Sequence, residues 1–318
     1  MSRVSFSDSA DQFFRWCARI LTNHREAVLQ LVSRSRRGES IDRKLFLPTR
    51  FALDGRPSEV EWSNFQLDGY GTWMWALTKH AARHGLDLTS YKEPLNICST
   101  YLAQFWREPC FDWWEENPFD VHPATLGAIL AGLRAALSTG LLNDEVARKV
   151  SAAAEAISDF FARSAVSDGR LTKSIGRSDI DASLITCLTP FGIVEAISPV
   201  GQATYNAIVK DLAPDGVHRY LADTYYGGGR WILLAGFVGW HEASIGHRER
   251  ALTRLEWMHD QFDSRGFLPE QVTASALHPA DVRTWQEKWG PVATPLLWSH
   301  AMYITLAEAL SFFTAPSS

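Results

Sequence analysis

Two short stretches of this sequence carry residue types suited to acid–base chemistry. Phe111-Asp112-Trp113-Trp114-Glu115-Glu116 sets two adjacent carboxylates behind two tryptophans and leads through Asn117 and Pro118 into an apolar helix. Aromatic rings offer stacking faces to sugars, and they also desolvate a neighbouring carboxyl and raise its pKa. A carboxyl raised in this way can serve as a general acid near neutral pH. The partner such an acid needs is offered by a second acidic loop, Gly266-Phe267-Leu268-Pro269-Glu270-Gln271. The plainer reading is that Glu115 and Glu116 only complement the positive end of the next helix. The remainder of the chain weighs against it.

Helical periodicity dominates and strand-like alternation is scarce. The spacing predicts helices over 8–21, 23–36, 66–84, 93–106, 122–140, 143–164, 181–196, 200–212, 229–245, 248–263 and 293–313, eleven in all. The links alternate in length. Those near 22 and at 85–92, 141–142, 197–199 and 246–247 are short; those at 37–65, 107–121, 165–180, 213–228 and 264–292 are long. Short links join antiparallel neighbours into hairpins. In a closed array of hairpins every long loop then lies at one end, where binding and catalysis usually sit.

The helices also fall into two alternating sets. Segments 65–77, 124–137, 182–196, 231–243 and 294–309 are apolar or small nearly all round, as a helix buried on most sides must be. Segments such as 143–150 and 248–256 carry charge on one face and belong outside. An inner ring wrapped by an outer ring follows: an all-α, (α/α)6 toroid, with residues 1–318 as one domain. Eleven of twelve helices are expected, the first outer one being absent.

Composition excludes other classes. A net charge of −5 recommends neither a nucleic-acid backbone nor an anionic membrane as partner. The longest apolar run, around residues 231–240, is too short to span a bilayer, and the first residues hold no apolar signal core. Four scattered cysteines without a CxxC pair read as reduced residues of a cytoplasmic protein. Gly227-Gly228-Gly229 lacks the context of a phosphate loop and reads as a tight turn before a buried helix. His241-Glu242 has its second histidine at His247, which breaks the HExxH spacing of a catalytic zinc, and GxSxG is missing. No cofactor and no metal are expected. His80, His122 and His259 read as surface or satisfied core groups.

Thirteen tryptophans and eight tyrosines exceed what a core requires, and several fall in the long loops with the charges. Loop 37–65 carries Arg50, Asp54 and Trp62 and runs into Gln66, Asp68 and Tyr70. Loop 165–180 carries Lys173 and Arg177, and loop 213–228 carries Arg219, Asp223, Tyr225 and Tyr226. Arg219 could reach a ligand or simply bridge Asp223 at the surface. Indole rings, carboxylates and an arginine around an apolar funnel suit a neutral, polyhydroxylated substrate.

Four of these stretches resemble glycoside hydrolase family 15, the glucoamylase and glucodextranase family. Asp112-Trp-Trp-Glu-Glu resembles its catalytic-acid motif and Leu268-Pro-Glu-Gln its catalytic-base motif. Arg219-Tyr220…Asp223-Thr-Tyr225-Tyr226…Trp231 resembles its glucose-binding loop, and Trp62…Gln66-Leu-Asp-Gly-Tyr the segment with a substrate-stacking tryptophan. The resemblance runs from about residue 8 to the end, in family order, and the family's fold is the (α/α)6 toroid. It implies an exo-acting, inverting α-glucosidase that releases glucose from non-reducing ends of α-gluco-oligosaccharides. It implies Glu115 as general acid, Glu270 as general base, Glu116 and Arg219 as holders of the first glucose, and Trp62 as the platform for the next sugar. Trp114, Asp68, Tyr225 and Gln271 complete the expected substrate site. The two catalytic carboxyls should then lie about 6.5–9.5 Å apart, leaving room for a water.

One departure from the family pattern matters. Its first helix and the Arg-Asp loop that grips the terminal glucose are expected to have no counterpart here. This leads us to expect an exposed apolar strip along 8–21, formed by Phe13, Phe14, Trp16, Cys17 and Ile20. Such strips mark interfaces, a second copy of the chain among the occupants, or aggregation-prone faces. Weak activity or none is expected unless Arg50 or Lys173 takes over the grip. Two alternatives stand beside the leading reading: a catalytically impaired sugar-binding remnant or truncated product of the same fold, and a sugar epimerase on the same toroid. The epimerases usually employ histidines as acid and base, where the long loops here offer carboxylates.

Overall fold

The structure, a computed structural model, describes residues 7–58 and 65–312. Its helices are α1 (Ser7–Asn23), α2 (Arg25–Arg36), α3 (Asp68–His84), α4 (Lys92–Phe105), α5 (Pro123–Ser138), α6 (Asp144–Ser164), α7 (Pro199–Leu212), α8 (Ile232–Ser244), α9 (Arg248–His259), α10 (Pro279–Trp289) and α11 (Leu297–Ala309). They form an (α/α) toroid. The expected division of labour holds best in α5 and α8, which are buried on nearly every side. By contrast, α6 buries one stripe, Val150, Ala153, Ala154, Ile157 and Phe161, and turns its charges outward. No described helix is long and apolar enough to cross a membrane.

The inner ring is tight where it supports the site. A Cβ at Gly71 of α3 would lie 2.3 Å from the Ala128 carbonyl oxygen of α5, and one at Gly132 would lie 2.3 Å from that of Gly71. The two helices therefore meet backbone to backbone, which only glycine permits. The N-terminal ends of this pair face the long loops: α3 begins with Asp68, and α5 follows directly on the tryptophan–glutamate loop.

Three expectations need correction. The helix predicted over 181–196 is a 3-10 segment, Ala182–Cys187, all six residues buried. Pro190 has no N–H to donate and clashes with a preceding turn, and Gly192 follows at φ 61°. Loop 264–292, predicted to be irregular, contains α10, which buries none of its residues. It starts on Pro279 and has an Arg283–Glu287 pair at 2.7 Å.

The apolar strip on α1 is narrower than expected. Phe14 and Ile20 are buried, Trp16 and Cys17 are half-buried, and only Phe13 is more than half exposed. The Trp16 indole N–H donates to the Leu53 carbonyl at 2.9 Å, so loop 37–58 covers part of the face. Less covered than predicted is α11, where Leu297 and Trp298 are both exposed.

Candidate active site

The tryptophan–glutamate loop is folded around one carboxylate. Asp112 Oδ1 accepts the backbone N–H groups of Trp114 and Glu116, each at 2.9 Å, and its Oδ2 accepts Asn117 Nδ2 at 3.0 Å. The Glu115 N–H bonds to the Asp112 carbonyl at 3.0 Å, closing a turn in which Glu115 and Asn117 have φ of 62° and 50°. Non-glycine residues occupy that region only where surrounding contacts hold them. Here the contacts include His122, whose Nε2 lies 3.1 Å from the Cys110 carbonyl and 3.0 Å from that of Asn117. Arg43 Nη2 adds bonds to the carbonyls of Pro109 and Pro118, at 2.9 and 2.8 Å. His122 is thus the satisfied core group that its sequence context suggested.

The wall beside this turn is a buried ionic network. Asp181 Oδ2 accepts the Trp114 indole N–H at 2.9 Å and Lys173 Nζ at 2.8 Å, while its Oδ1 accepts Ser183 Oγ at 2.6 Å. Burial pushes the Asp181 carboxyl up, but the Lys173 charge and these bonds outweigh it and leave the group below the usual aspartate range. Lys173 is therefore committed inside the protein and does not grip a terminal sugar, as was one expectation for it.

Loop 213–228 brings Arg219 to the same wall. Its Nε donates to Asp223 Oδ2 at 2.7 Å and its Nη2 donates to Asp223 Oδ1. The same Nη2 donates to Glu116 Oε1 at 3.1 Å, and the Tyr220 hydroxyl donates to Glu116 Oε2. Arg219 does bridge Asp223, but in the interior and not at the surface, with 2% of its area exposed. Its guanidinium carbon lies 5.1–5.3 Å from the ring centroids of Trp114, Tyr225 and Trp231. With Nε and both protons of Nη2 engaged, Nη1 is the end that can turn to a ligand. Burial raises the Glu116 pKa, and Arg219 and Tyr220 only partly oppose it. The triple glycine makes the tight turn that its context indicated: Gly228, at φ 67°, passes so close to Asp223 that a Cβ would lie 2.2 Å from the aspartate carbonyl.

Glu270 is positioned by backbone pairing. Residues 271–272 form an antiparallel ladder with 230–231, so that the base loop and the Arg219 loop share one edge. The Glu270 N–H donates to the Ala293 carbonyl at 2.9 Å, and Ser299 Oγ on α11 donates to Pro269 O at 2.8 Å. Gln271 is a strut: its Oε1 accepts the Gly229 N–H at 2.8 Å and its Nε2 donates to the Tyr225 carbonyl at 3.3 Å. Burial raises the Glu270 pKa, against the Arg219 charge and hydrogen bonds from Tyr225 and Gln271; the Glu115 charge raises it further. Among the described residues, Glu270 Oε2 is buried with no hydrogen-bond partner.

The expected residues that the structure describes lie around one another. Glu115 acts on the ionisation of both Glu270 and Asp68. Asp68 is pushed up to about 7 by burial, with the Asp112 and Glu115 charges adding to it. Trp114 is 8% exposed with its N–H tied to Asp181, so it walls the pocket and does not present an open stacking face. Trp62 lies outside the described residues. Sequence reasoning missed Asp181 and the part played by Tyr220. It also missed Trp298, whose ring is 5.9 Å from that of Trp113, two residues before Glu115. Only the Asp181-Ala182-Ser183 capping pattern gave a local signal for the first. The second lay inside a recognised motif without a role of its own.

The chain is similar in sequence and fold to known glycosidases. The sequence model of "Glycosyl hydrolases family 15" matches residues 3–242. Isomaltose glucohydrolase of Kribbella flavida is 44% identical over 313 residues, covering 98% of this chain and 81% of that protein. A solved glycosidase variant in complex with glucose superposes with a TM-score of 0.95 at 42% identity, over 98% of this chain and 85% of that one. A bacterial glucoamylase complexed with acarbose shares the fold, with a TM-score of 0.72 at 20% identity, over 96% of this chain and 46% of that one. The remnant reading is not favoured beside a glucohydrolase this similar. The chain belongs to glycosyl hydrolases family 15 and is a glycoside hydrolase of its exo-acting, inverting, glucose-releasing kind.

Proposed function

We propose that Glu115 and Glu270 are the acid and base of this enzyme, and that it cleaves short α-gluco-oligosaccharides of the isomaltose type. The observation that carries the assignment is the buried, unpartnered Oε2 of Glu270. A buried acceptor without a donor costs free energy, and a water held against C1 of a sugar would supply the donor. In the inverting reaction the C1–O bond breaks as Glu115 gives its proton to the glycosidic oxygen. Water attacks C1 from the opposite face and its proton passes to Glu270. Bulk water then returns each carboxyl to its starting state.

The remaining residues hold the sugar. Glu116 is fixed by Arg219 and Tyr220, so its oxygens are oriented before any hydroxyl arrives. Arg219 offers Nη1, and Asp68 and Tyr225 border the space between the two carboxyls. Gln271 and Trp114 act as supports, and Trp62 is proposed as the platform for the second sugar. The α-1,6 preference is supported by the similarity to isomaltose glucohydrolase. A single catalytic domain and a cytoplasmic location are part of the same proposal. The location is supported by four free cysteines, three of them buried.

Isomaltose and maltose hydrolysis by the wild type, Glu115→Gln and Glu270→Gln tests the proposal. The wild type should favour isomaltose, and each variant should bind sugar while losing about 100- to 10,000-fold in kcat. Turnover by Glu270→Gln near the wild-type rate would overturn the assignment.

A further inference from the structure

Lys173, the buried lysine of the wall, has no task in the reaction just described. It is 9% exposed, with Nζ 2.8 Å from Asp181 Oδ2, 3.4 Å from Asp112 Oδ2 and 3.4 Å from the centroid of the Tyr220 ring. Asp112 lies in the acid loop, and Asp181 and Tyr220 are each one hydrogen bond away from it. Asp112 receives the N–H groups of Trp114 and Glu116, Asp181 receives the Trp114 indole, and Tyr220 donates to Glu116. One ammonium therefore ties together three of the side chains that fix the residues on either side of Glu115, Arg219 being a fourth that it does not touch.

The loop needs such a tie. Glu115 and Asn117 are both left-handed, at φ 62° and 50°, a conformation that relaxes unless its surroundings over-determine it. Without the ammonium, the Asp112 and Asp181 carboxyl groups would face each other in the interior with no cation between them. Like charges at that separation repel strongly when little water screens them. Asp112 is the centre of the turn, so its displacement moves Glu115.

We infer that Lys173 is a positioning residue for Glu115: its ammonium locks the Asp112–Asp181 wall and so aims the acid at the leaving oxygen. The inference rests on the assignment of Glu115 as general acid. It also separates two tasks within one cluster of cations, Arg219 serving the sugar and Lys173 serving the acid.

Leaving-group dependence tests it. A disaccharide must leave as an alcohol and needs the proton of Glu115, whereas α-glucosyl fluoride leaves as fluoride and depends on it far less. Lys173→Met should lower kcat on isomaltose by about 100-fold, as loss of an aligned general acid does. On α-glucosyl fluoride the loss should stay within about threefold, with KM for both nearly unchanged. Asp181→Asn loosens the ammonium from its other side without a change of shape, and is read in the same way should Lys173→Met not fold; the expected isomaltose loss is about tenfold. Equal losses on the two substrates would overturn the inference, because a general structural defect does not distinguish leaving groups. Glu115→Gln serves as reference. If it fails to separate the substrates, the acid assignment falls and the inference with it. If it separates them and the Lys173 and Asp181 variants do not, the inference alone falls.

Discussion

Arg219 reaches Glu116 across 103 positions of sequence, Nη2 to Oε1 at 3.1 Å, while the same guanidinium is held in a fork by Asp223. The arginine is therefore a structural and a functional element at once. Arg219→Lys should reduce kcat/KM sharply, since one ammonium cannot reproduce the planar fork. The burial of the Arg219–Asp223 pair adds a second consequence that the sequence did not suggest. Losing one arm of the fork should also lower stability by about 1.5–3 kcal/mol, the usual worth of a hydrogen bond to a charged group. Denaturant unfolding and steady-state kinetics on one preparation check both. A stability loss with unchanged kinetics would confine Arg219 to a structural role.

Tyr225 tunes the base. Its hydrogen bond favours ionised Glu270, against the burial that raises the pKa of that carboxyl. The base works only when ionised, so kcat/KM should fall as pH drops through the Glu270 pKa. Tyr225→Phe removes one bond worth about 1 kcal/mol, which corresponds to roughly 0.7 pH unit. The acid limb of the pH–rate profile should therefore move upward by about that amount. A limb that stays in place would place Tyr225 away from the base in solution.

Asp68 links the site to folding. Its pKa rises from 3.8 to about 7 on folding, with burial as the main cause. Between those values the folded state holds a proton that the unfolded state has lost. Stability must therefore fall as pH rises through that window, and the full penalty is present above it. Asp68→Asn keeps the shape and removes the charge. In sugar-free enzyme it should stabilise by about 1–3 kcal/mol at pH 8 and by almost nothing below pH 4. Equal effects at both pH values would show that Asp68 is not held neutral.

How far the sequence could be read depended on how each element is stabilised. The alternation of short and long links, and of all-apolar with one-sided segments, exposed the toroid because a ring needs both. The acid and Arg219 loops were legible because their side chains are fixed by near neighbours, Asp112 within its own turn and Asp223 four residues from Arg219. Segment 181–196 was misread because its first half, residues 181–188, is wholly buried and has no polar face to reveal its period. The polar α10 was missed for the opposite reason: it buries nothing, and instead its Trp285 lies 4.9 Å from Tyr225, covering the Arg219 loop. Lys173 and Asp181 could not be paired from sequence, because the indole that joins them to the acid loop comes from Trp114, 67 positions from Asp181.

The measurement that bears most directly on the acid–base assignment is the anomer first released from isomaltose, followed by NMR before mutarotation. With Glu115 as acid and Glu270 activating a water on the opposite face, β-glucose should appear first, and Glu270→Gln should abolish that signal. Release of α-glucose first would mean a nucleophile and retention at C1, and would contradict the assignment of Glu270 as a base.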